Sequence, residues 1–339
     1  MIQSTESATA ETVVAAPICD ISIVIPLYNE AESLPELVSQ IYDAIQKSDL
    51  ENFFGHPPTL EILFVNDGSN DGSDAVIKGL LSRQPDIKLI SFRRNYGKSA
   101  ALDAGFAAAS GKYVITMDAD LQDSPYEIEP LIRKLEEGYD LVSGWKKKRY
   151  DPISKTLPSK LFNAVTSAMS GVALHDFNCG LKAYRHDVVK TVQVYGEMHR
   201  YIPVLAKWNG FRIGELVVQH RPRKYGVTKF GISRFFNGFL DLLTIMFITK
   251  YLKRPMHFFG LLGILSFLSG FLLAGYLSFE KVINDQALSN RPALFLAVML
   301  IILGVQLFGI GLLGEMVTKT GYNAEPYLIK EKINFGSRT

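Results

Sequence analysis

The sequence has few cysteines and little net charge, and it lacks two common nucleotide-binding motifs. Each of these features makes some classes of protein less probable. Two cysteines, Cys19 and Cys179, stand among 339 residues, which is typical of a reducing compartment and gives no metal-ligand spacing. The net charge of +2 provides no bulk attraction to nucleic acid. No GxGxxG follows the first predicted strand and no GxxxxGK[ST] occurs, which disfavours a dinucleotide-binding fold and a P-loop.

Charged residues are also missing from two long stretches near the C-terminus, residues 257–278 and 292–314. The first would span about 33 Å as a helix, close to the thickness of a bilayer's hydrocarbon core. Buried helices of a large soluble protein are the alternative. The polar connection "EKVINDQALSNR" favours a transmembrane hairpin over residues 254–316.

Positive charge flanks this hairpin on its outer sides. Basic residues precede the first span and follow the second: Lys250, Lys253, Arg254, Lys319, Lys330 and Lys332. The positive-inside rule therefore predicts that both chain ends and residues 18–229 are cytoplasmic, with residues 317–339 as a tail. Residues 1–17 have no basic start and no long apolar core, so we expect a disordered tail rather than a secretory signal.

Residues 18–229 alternate strand and helix patterns. Apolar runs such as "ISIVIP", "EILFV", "KLISF", "YVITM" and "DLVSG" are separated by helical patterns at 32–46, 73–83, 98–109 and 125–137. This alternation predicts an α/β domain with a mainly parallel sheet and flanking helices. Ligands of such sheets bind at the carboxyl ends of the strands, where this chain has "PLYNE", "NDGSND", "FRRNYGKS" and "DADLQD".

The last of these polar ends predicts a metal site. Asp118 and Asp120 are two residues apart, so their side chains point the same way on an extended chain. Two carboxylates on one face suit a hard divalent cation, and Mg²⁺ typically binds one or two carboxylates plus substrate phosphates. A solvated turn with coincidental acids is the alternative.

Taken together, "IVIPLYNE", "FVNDGSNDGS", "MDADLQ", "DFNCGLKAYR" and "RPRKYGVTKFG" resemble the ordered signatures of family 2 glycosyltransferases, in their polyprenyl-phosphate branch. The resemblance implies a GT-A fold. It also implies a nucleotide-sugar donor and a polyprenyl-phosphate acceptor, with Mg²⁺ or Mn²⁺ as cofactor. The second signature often has two acids, whereas here the first position is Asn66, which leaves Asp67 to contact the base.

The resemblance also implies roles for individual residues. The metal would be held by Asp118, Asp120 and Gln122. The nucleotide-sugar would contact Pro26, Tyr28, Asn29, Glu30, Asp67, Lys98, Asp118 and Gln122. Tyr28 could instead be a packing residue, Gln122 a polar residue at a helix entry, and Lys98 part of a solvated basic face.

A lipid phosphate is already negatively charged near neutral pH, so it needs cations more than a base. Arg221, Arg223 and Lys229 could supply them, or could attract anionic headgroups in general. By resemblance Asp176 and Asp120 are the catalytic acids, although Asp176 could be a turn residue. Residues 230–253 are predicted to form an amphipathic interfacial helix, or else a helix packed on the catalytic domain.

The two-span tail resembles that of the bacterial undecaprenyl-phosphate glucosyltransferases, and this resemblance implies inverting transfer of glucose from UDP-glucose to a polyprenyl phosphate at the cytoplasmic membrane face. Alternatives are mannosyl transfer from GDP-mannose, a processive polysaccharide synthase, and a non-catalytic membrane scaffold. Small residues recur in both spans, and we expect these stripes to face another helix, either within the hairpin or from a second protomer of a homo-oligomer. They are Ser266, Gly270, Ala274 and Ser278 in the first span and Ala297, Gly304 and Gly311 in the second.

Overall fold

A computed structural model describes most of the chain: residues 17–147, 163–168, 170–196, 198–222, 224, 255–284, 292–320 and 329–333. The chain divides into two compact units, a sheet unit that includes the C-terminal residues and a helical unit. The predicted interfacial helix at 230–253 lies outside the described residues, as do Arg223, Lys229 and nearly all of the N-terminal tail.

The described strands form one mixed sheet in the order β7-β5-β6-β4-β1-β2-β3-β8. Their bounds are β1 Cys19–Leu27, β2 Leu60–Asn66, β3 Ile87–Phe92, β4 Gly111–Thr116, β5 Leu141–Trp145, β6 Lys182–Arg185, β7 Ile213–Val217 and β8 Ile329–Ile333. The central strands β4, β1, β2 and β3 are parallel, as the alternating pattern predicts. β6 runs antiparallel between β4 and β5, and β8 runs antiparallel to β3.

Helices of the sheet unit cover the strands through apolar faces. Their bounds are α1 Leu34–Lys47, α2 Leu50–Phe54, α3 Ser73–Leu81, α4 Lys98–Ala108, α5 Ile128–Glu136, α6 His186–Thr191 and α7 Ile202–Trp208. In α5 the buried residues are Ile128, Leu131, Ile132 and Leu135, the spacing of one helical face. The predicted helices at 32–46, 73–83, 98–109 and 125–137 correspond to α1, α3, α4 and α5.

The packing of α4 on the sheet depends on a glycine. A Cβ on Gly105 would lie 2.3 Å from Cγ1 of Val24, so only glycine lets the helix approach β1 this closely. The run of buried residues in β1, from Ile21 to Leu27, reflects cover on both faces of the central sheet. The helix begins at Lys98.

The helical unit is an antiparallel pair, α8 Pro255–Asn284 and α9 Pro292–Thr320. Both helices are long and apolar enough to cross a membrane. Most of their large apolar side chains are exposed, for example Leu272 at 70% and Phe295 at 76%, which disfavours the alternative of buried core helices.

Small residues bring the two helices together. A Cβ on Gly304 would lie 2.6 Å from N of Phe267 and 2.7 Å from O of Gly263, and Oγ of Ser266 donates to O of Leu300 at 2.9 Å. The predicted stripe Ala297, Gly304 and Gly311 is buried, as expected.

The stripe predicted in the first span is partly wrong. Ser278 is exposed, and the buried positions are Gly260, Gly263, Gly270 and Leu277. The line of contact repeats every seven residues because that interval is close to two helical turns. These faces are filled within the hairpin and give no support to a second protomer.

The segment predicted as a C-terminal tail departs from expectation. Residues 329–333 form β8, which pairs with β3 through Leu89, Ile90, Ser91 and Phe92. The chain therefore returns after α9 to cover the edge of the sheet that β3 would otherwise expose.

Candidate active site

A chamber lies at the carboxyl ends of β1 and β4. It is lined by Pro26, Lys98, Leu102, Thr116, Asp118, Phe177, Asn178, Cys179, Gly180, Lys182, Tyr184, His199, Arg200 and Ile202. Three of the predicted site residues, Pro26, Lys98 and Asp118, therefore share one chamber, although they come from three separate motifs. This is the position that the strand-end argument predicts.

The carboxylate of Asp118 lies between Lys98 and Gly180. Its Oδ1 pairs with Nζ of Lys98, and a Cβ on Gly180 would lie 2.5 Å from its Oδ2. Burial alone would raise the pKa of Asp118, but the ammonium of Lys98, aided by Lys146 and Lys182, lowers it to about 2. Asp118 is therefore ionised at neutral pH, and glycine at position 180 leaves room for its carboxylate.

The turn that follows Asp118 is tightly organised. Asp120 is 7% exposed and accepts the N–H of Gln122 at 3.2 Å. Leu121 has a φ of 62°, a conformation that an ordinary side chain rarely adopts. Asp123 is buried and pairs with Lys146 at 2.7 Å, and this partner keeps the pKa of Lys146 raised although burial opposes it. The third acid of the motif therefore serves the structure of the turn.

The donor atoms of this turn are of the type that a divalent cation binds. The carboxylates of Asp118 and Asp120 offer oxygen atoms, and the amide of Gln122 is the third predicted ligand. No group of three or more His, Cys, Asp or Glu residues in the described part of the chain could hold a metal by itself. A cation here would thus take further oxygens from a substrate, which is how Mg²⁺ is commonly bound.

The predicted base contact, Asp67, has a role in the structure. Its Oδ1 accepts the N–H of Tyr96 at 2.6 Å and its Oδ2 accepts the N–H of Gly97 at 2.9 Å. Burial raises the pKa of Asp67, and these two amide donors partly offset that effect. Asp67 thereby fixes the turn that leads to Lys98. Its contact with a base stays a prediction.

The loop after β1 is tied to the loop after β2. The N–H of Asn29 donates to Oγ of Ser69 at 2.9 Å, and Oδ1 of Asn29 accepts the N–H of Asn70 at 2.9 Å. The N–H of Glu30 donates to Oγ of Ser73 at 3.4 Å. Tyr28 is 40% exposed beside them, which argues against the alternative of a plain packing residue.

Much of the positive charge that lines the chamber comes from residues to which the sequence analysis assigned no role. Lys182 is 4% exposed and donates to O of Phe177 at 3.3 Å and to O of Cys179; burial lowers its pKa. Arg200 lines the same wall. Burial, with the cations Lys98, Arg200 and Lys182, lowers the pKa of His199, which is therefore neutral at pH 7. Three cations thus face one carboxylate, which makes the chamber suited to an anion.

Two other predicted residues lie away from the chamber lining. Asp176 is 1% exposed, and its Oδ1 accepts the N–H of Asn178 at 3.1 Å. Arg221 donates to Oε1 of Gln40 at 2.9 Å and to Oγ of Ser124 at 3.2 Å. The backbone of Arg221 also pairs with Gln122, since its N–H donates to O of Gln122 at 3.0 Å and its O accepts from Nε2 of Gln122 at 3.5 Å. Arg221 therefore braces the turn that follows Asp118, at Gln122.

Solved structures with a related fold define the class of the sheet unit. Glucosyl-3-phosphoglycerate synthase from Mycobacterium tuberculosis, in complex with Mn²⁺ and UDP-glucose, superposes with a TM-score of 0.51 at 16% identity over 68% of this chain and 78% of that chain. A mycobacterial protein gives a TM-score of 0.50 at 17% identity, over 68% and 74% of the two chains. At these identities the likeness shows the fold alone, and that fold is the GT-A type.

Sequence comparison carries the identification further. Residues 22–193 match the family described as "Glycosyl transferase family 2". The dodecaprenyl-phosphate galacturonate synthase of Rhizobium johnstonii is 37% identical over 320 residues, which cover 92% of each chain. The undecaprenyl-phosphate 4-deoxy-4-formamido-L-arabinose transferase of Salmonella typhimurium is 35% identical over 89% of each chain. This chain belongs to glycosyltransferase family 2, which confirms the predicted family.

Proposed function

We propose that this chain transfers a glycosyl group from a nucleotide sugar to a polyprenyl phosphate at a membrane surface, with inversion at the anomeric carbon. The observation that carries the proposal is the chamber lined by Lys98, Asp118 and Gly180, in which the basic side chains outnumber the acidic ones. The acceptor class is supported by two relatives, each named for a polyprenyl phosphate and aligned over about nine-tenths of this chain.

The residues of the chamber account for the charge that the reaction develops. A phosphate monoester near neutral pH already carries about −1.5 to −2 charges, so the acceptor oxygen needs little deprotonation before it attacks the sugar. Lys98, Lys182 and Arg200 offset the repulsion between that phosphate and the diphosphate of the donor. A divalent cation held by Asp118, Asp120 and Gln122, either Mg²⁺ or Mn²⁺, would supply Lewis-acid stabilisation of the leaving diphosphate.

We further propose that Arg221, Arg223 and Lys229 capture the acceptor phosphate. We also propose that the catalytic domain faces the cytoplasm. The N–H of Arg221 donates to O of Gln122 at 3.0 Å, and this contact with a proposed metal ligand supports a role for Arg221 near the acceptor phosphate. Replacement of Arg221 and Arg223 together should raise the KM for lipid phosphate more than the KM for the nucleotide sugar. Equal effects on both KM values would instead assign these arginines to the donor diphosphate.

The donor sugar is decided by a transfer assay. The sequence suggests UDP-glucose, whereas the two relatives are named for galacturonate and for a formamido arabinose. The full chain in detergent is incubated with undecaprenyl phosphate, a divalent metal and radiolabelled UDP-glucose, UDP-galacturonate, UDP-4-deoxy-4-formamido-L-arabinose or GDP-mannose. We expect one donor to label the lipid and Asp118→Asn to abolish the label. A chain that is inert with all four donors would favour the non-catalytic scaffold.

A further inference from the structure

Glu215, in the edge strand β7, holds one turn of the chain with a single carboxylate. Its Oε1 accepts the N–H of His175 at 2.8 Å and the N–H of Asp176 at 3.1 Å. Its Oε2 lies 2.7 Å from Nδ1 of His175. The side chain of Glu215 is 13% exposed, whereas that of His175 is 66% exposed, so Glu215 is the sheltered partner of these contacts.

The remaining polar groups of the same turn are also held by side chains. Nδ2 of Asn163 donates to O of His175 at 2.7 Å, and Oγ of Ser143 donates to O of Asp176 at 3.4 Å. The imidazole of His175 stacks on Trp145 with ring centroids 4.0 Å apart. Residues 175–177 are neither helix nor strand, so these contacts fix the conformation of the turn.

The position of this turn matters because the chamber wall follows it directly. Residues 177–180 line the chamber, and Gly180 faces the carboxylate of Asp118. We propose that Glu215 is a positioning residue, which sets the 175–177 turn and through it Asp176 and the chamber wall. This inference rests on the proposed function for its kinetic test, and on the contacts of Glu215 alone for its structural test.

The kinetic test compares three variants of the full chain in the transfer assay. Glu215→Ala removes all three contacts and should lower kcat at least tenfold, with the KM for the nucleotide sugar changed less than twofold. Glu215→Gln keeps an oxygen that can accept both N–H groups, so kcat should stay within about threefold of wild type. Asp140→Ala is the matched control, because Asp140 accepts the N–H of Arg212 at 2.7 Å at the other end of β7 and does not contact the turn.

The structural test measures amide hydrogen exchange at His175 and Asp176 and needs no activity. Exchange at both amides should be at least tenfold faster in Glu215→Ala and close to wild type in Glu215→Gln and Asp140→Ala. Unchanged exchange in Glu215→Ala would overturn the anchoring role. Faster exchange with unchanged kcat would overturn the positioning role.

If Glu215→Ala does not fold, Asn163→Ala decides, because Asn163 holds the same turn through the carbonyl of His175. A lowered kcat with unchanged KM then supports the proposal, and an unchanged kcat refutes it. A wild-type chain that transfers no sugar would refute the proposed function while leaving the exchange result to judge the anchor.

Discussion

Gly180 offers the sharpest test of the site, since glycine there is required by the carboxylate opposite it rather than by its own backbone. A Cβ at position 180 would stand 2.5, 2.6 and 2.7 Å from Oδ2, Cγ and Oδ1 of Asp118. Ordinary contacts begin at 3.4 Å. Gly180→Ala therefore forces the carboxylate to move by roughly 1 Å, away from the place where Lys98 now meets it.

This displacement should damage catalysis far more than folding. The obstructed atoms end a short side chain, so we expect a loss of about 1–3 kcal/mol in the free energy of unfolding, as for other overpacked sites. A misplacement of about 1 Å at a reacting centre can lower a rate by about 10²-fold. We therefore expect kcat/KM to fall by about 10² while circular dichroism stays native.

The assay is lipid-linked radiolabel formation, with denaturant unfolding measured on the same preparation. Gly79→Ala is the control, because nothing lies within 4 Å of a Cβ at this position in α3; it should retain full activity and gain about 0.5–1 kcal/mol of stability. A Gly180→Ala enzyme with wild-type kcat/KM would show that the reaction does not depend on where Asp118 lies.

Three further outcomes test the metal, the ion pair and the hairpin. Asp120→Ala should abolish transfer without loss of fold, and excess chelator should do the same to wild type; full activity in either case would remove the metal mechanism. Lys98→Met should lower the free energy of unfolding most above about pH 4, because the ion pair stabilises only the ionised carboxylate of Asp118. The difference from wild type should narrow as the pH falls towards the pKa of Asp118 at about 2. Thermal melts between pH 2 and 5 measure this difference, and a difference that does not change with pH would contradict it. Gly304→Leu would place side-chain atoms on backbone atoms of the facing helix and should loosen the hairpin in detergent. Gly309→Leu should not, because nothing lies within 4 Å of a Cβ at that position. Equal protease resistance of the two variants would argue against this packing.

The sequence predicted the parts of the site that depend on local pattern. Long apolar runs identify β1 to β4, and the polar residues that follow each run are brought to one edge because parallel strands end on the same side. Asp118 and Lys98, both named from these patterns, accordingly line one chamber, and their roles in binding stay predictions. The strands β6 to β8 were not predicted because their segments contain no continuous apolar run, and their pairing is decided by neighbours distant in the chain.

Lys182, His199 and Arg200 were missed for a related reason. Lys182 lies within the signature "DFNCGLKAYR", but the resemblance assigned it no role, and the basic pair in "MHRYIP" has no spacing that indicates a site. Lys182 is instead buried against the carbonyls of Phe177 and Cys179. Lys182 is recognised as part of the site only in the folded chain, where residues far apart in sequence surround the carboxylate of Asp118.

The direction of β6 explains how Lys182 reaches the chamber although it begins a strand, whereas Asp118 follows one. β6 pairs antiparallel with β4, so its first residue, Lys182, lies opposite Thr116 at the carboxyl end of β4. The chain entering β6 is thereby delivered to the edge where Asp118 lies. A parallel strand in the same place would have brought its last residues there and carried the 175–180 segment to the opposite edge of the sheet. One reversed strand thus supplies the turn held by Glu215, the glycine that makes room for Asp118 and the buried cation of the chamber, all from one short stretch of sequence.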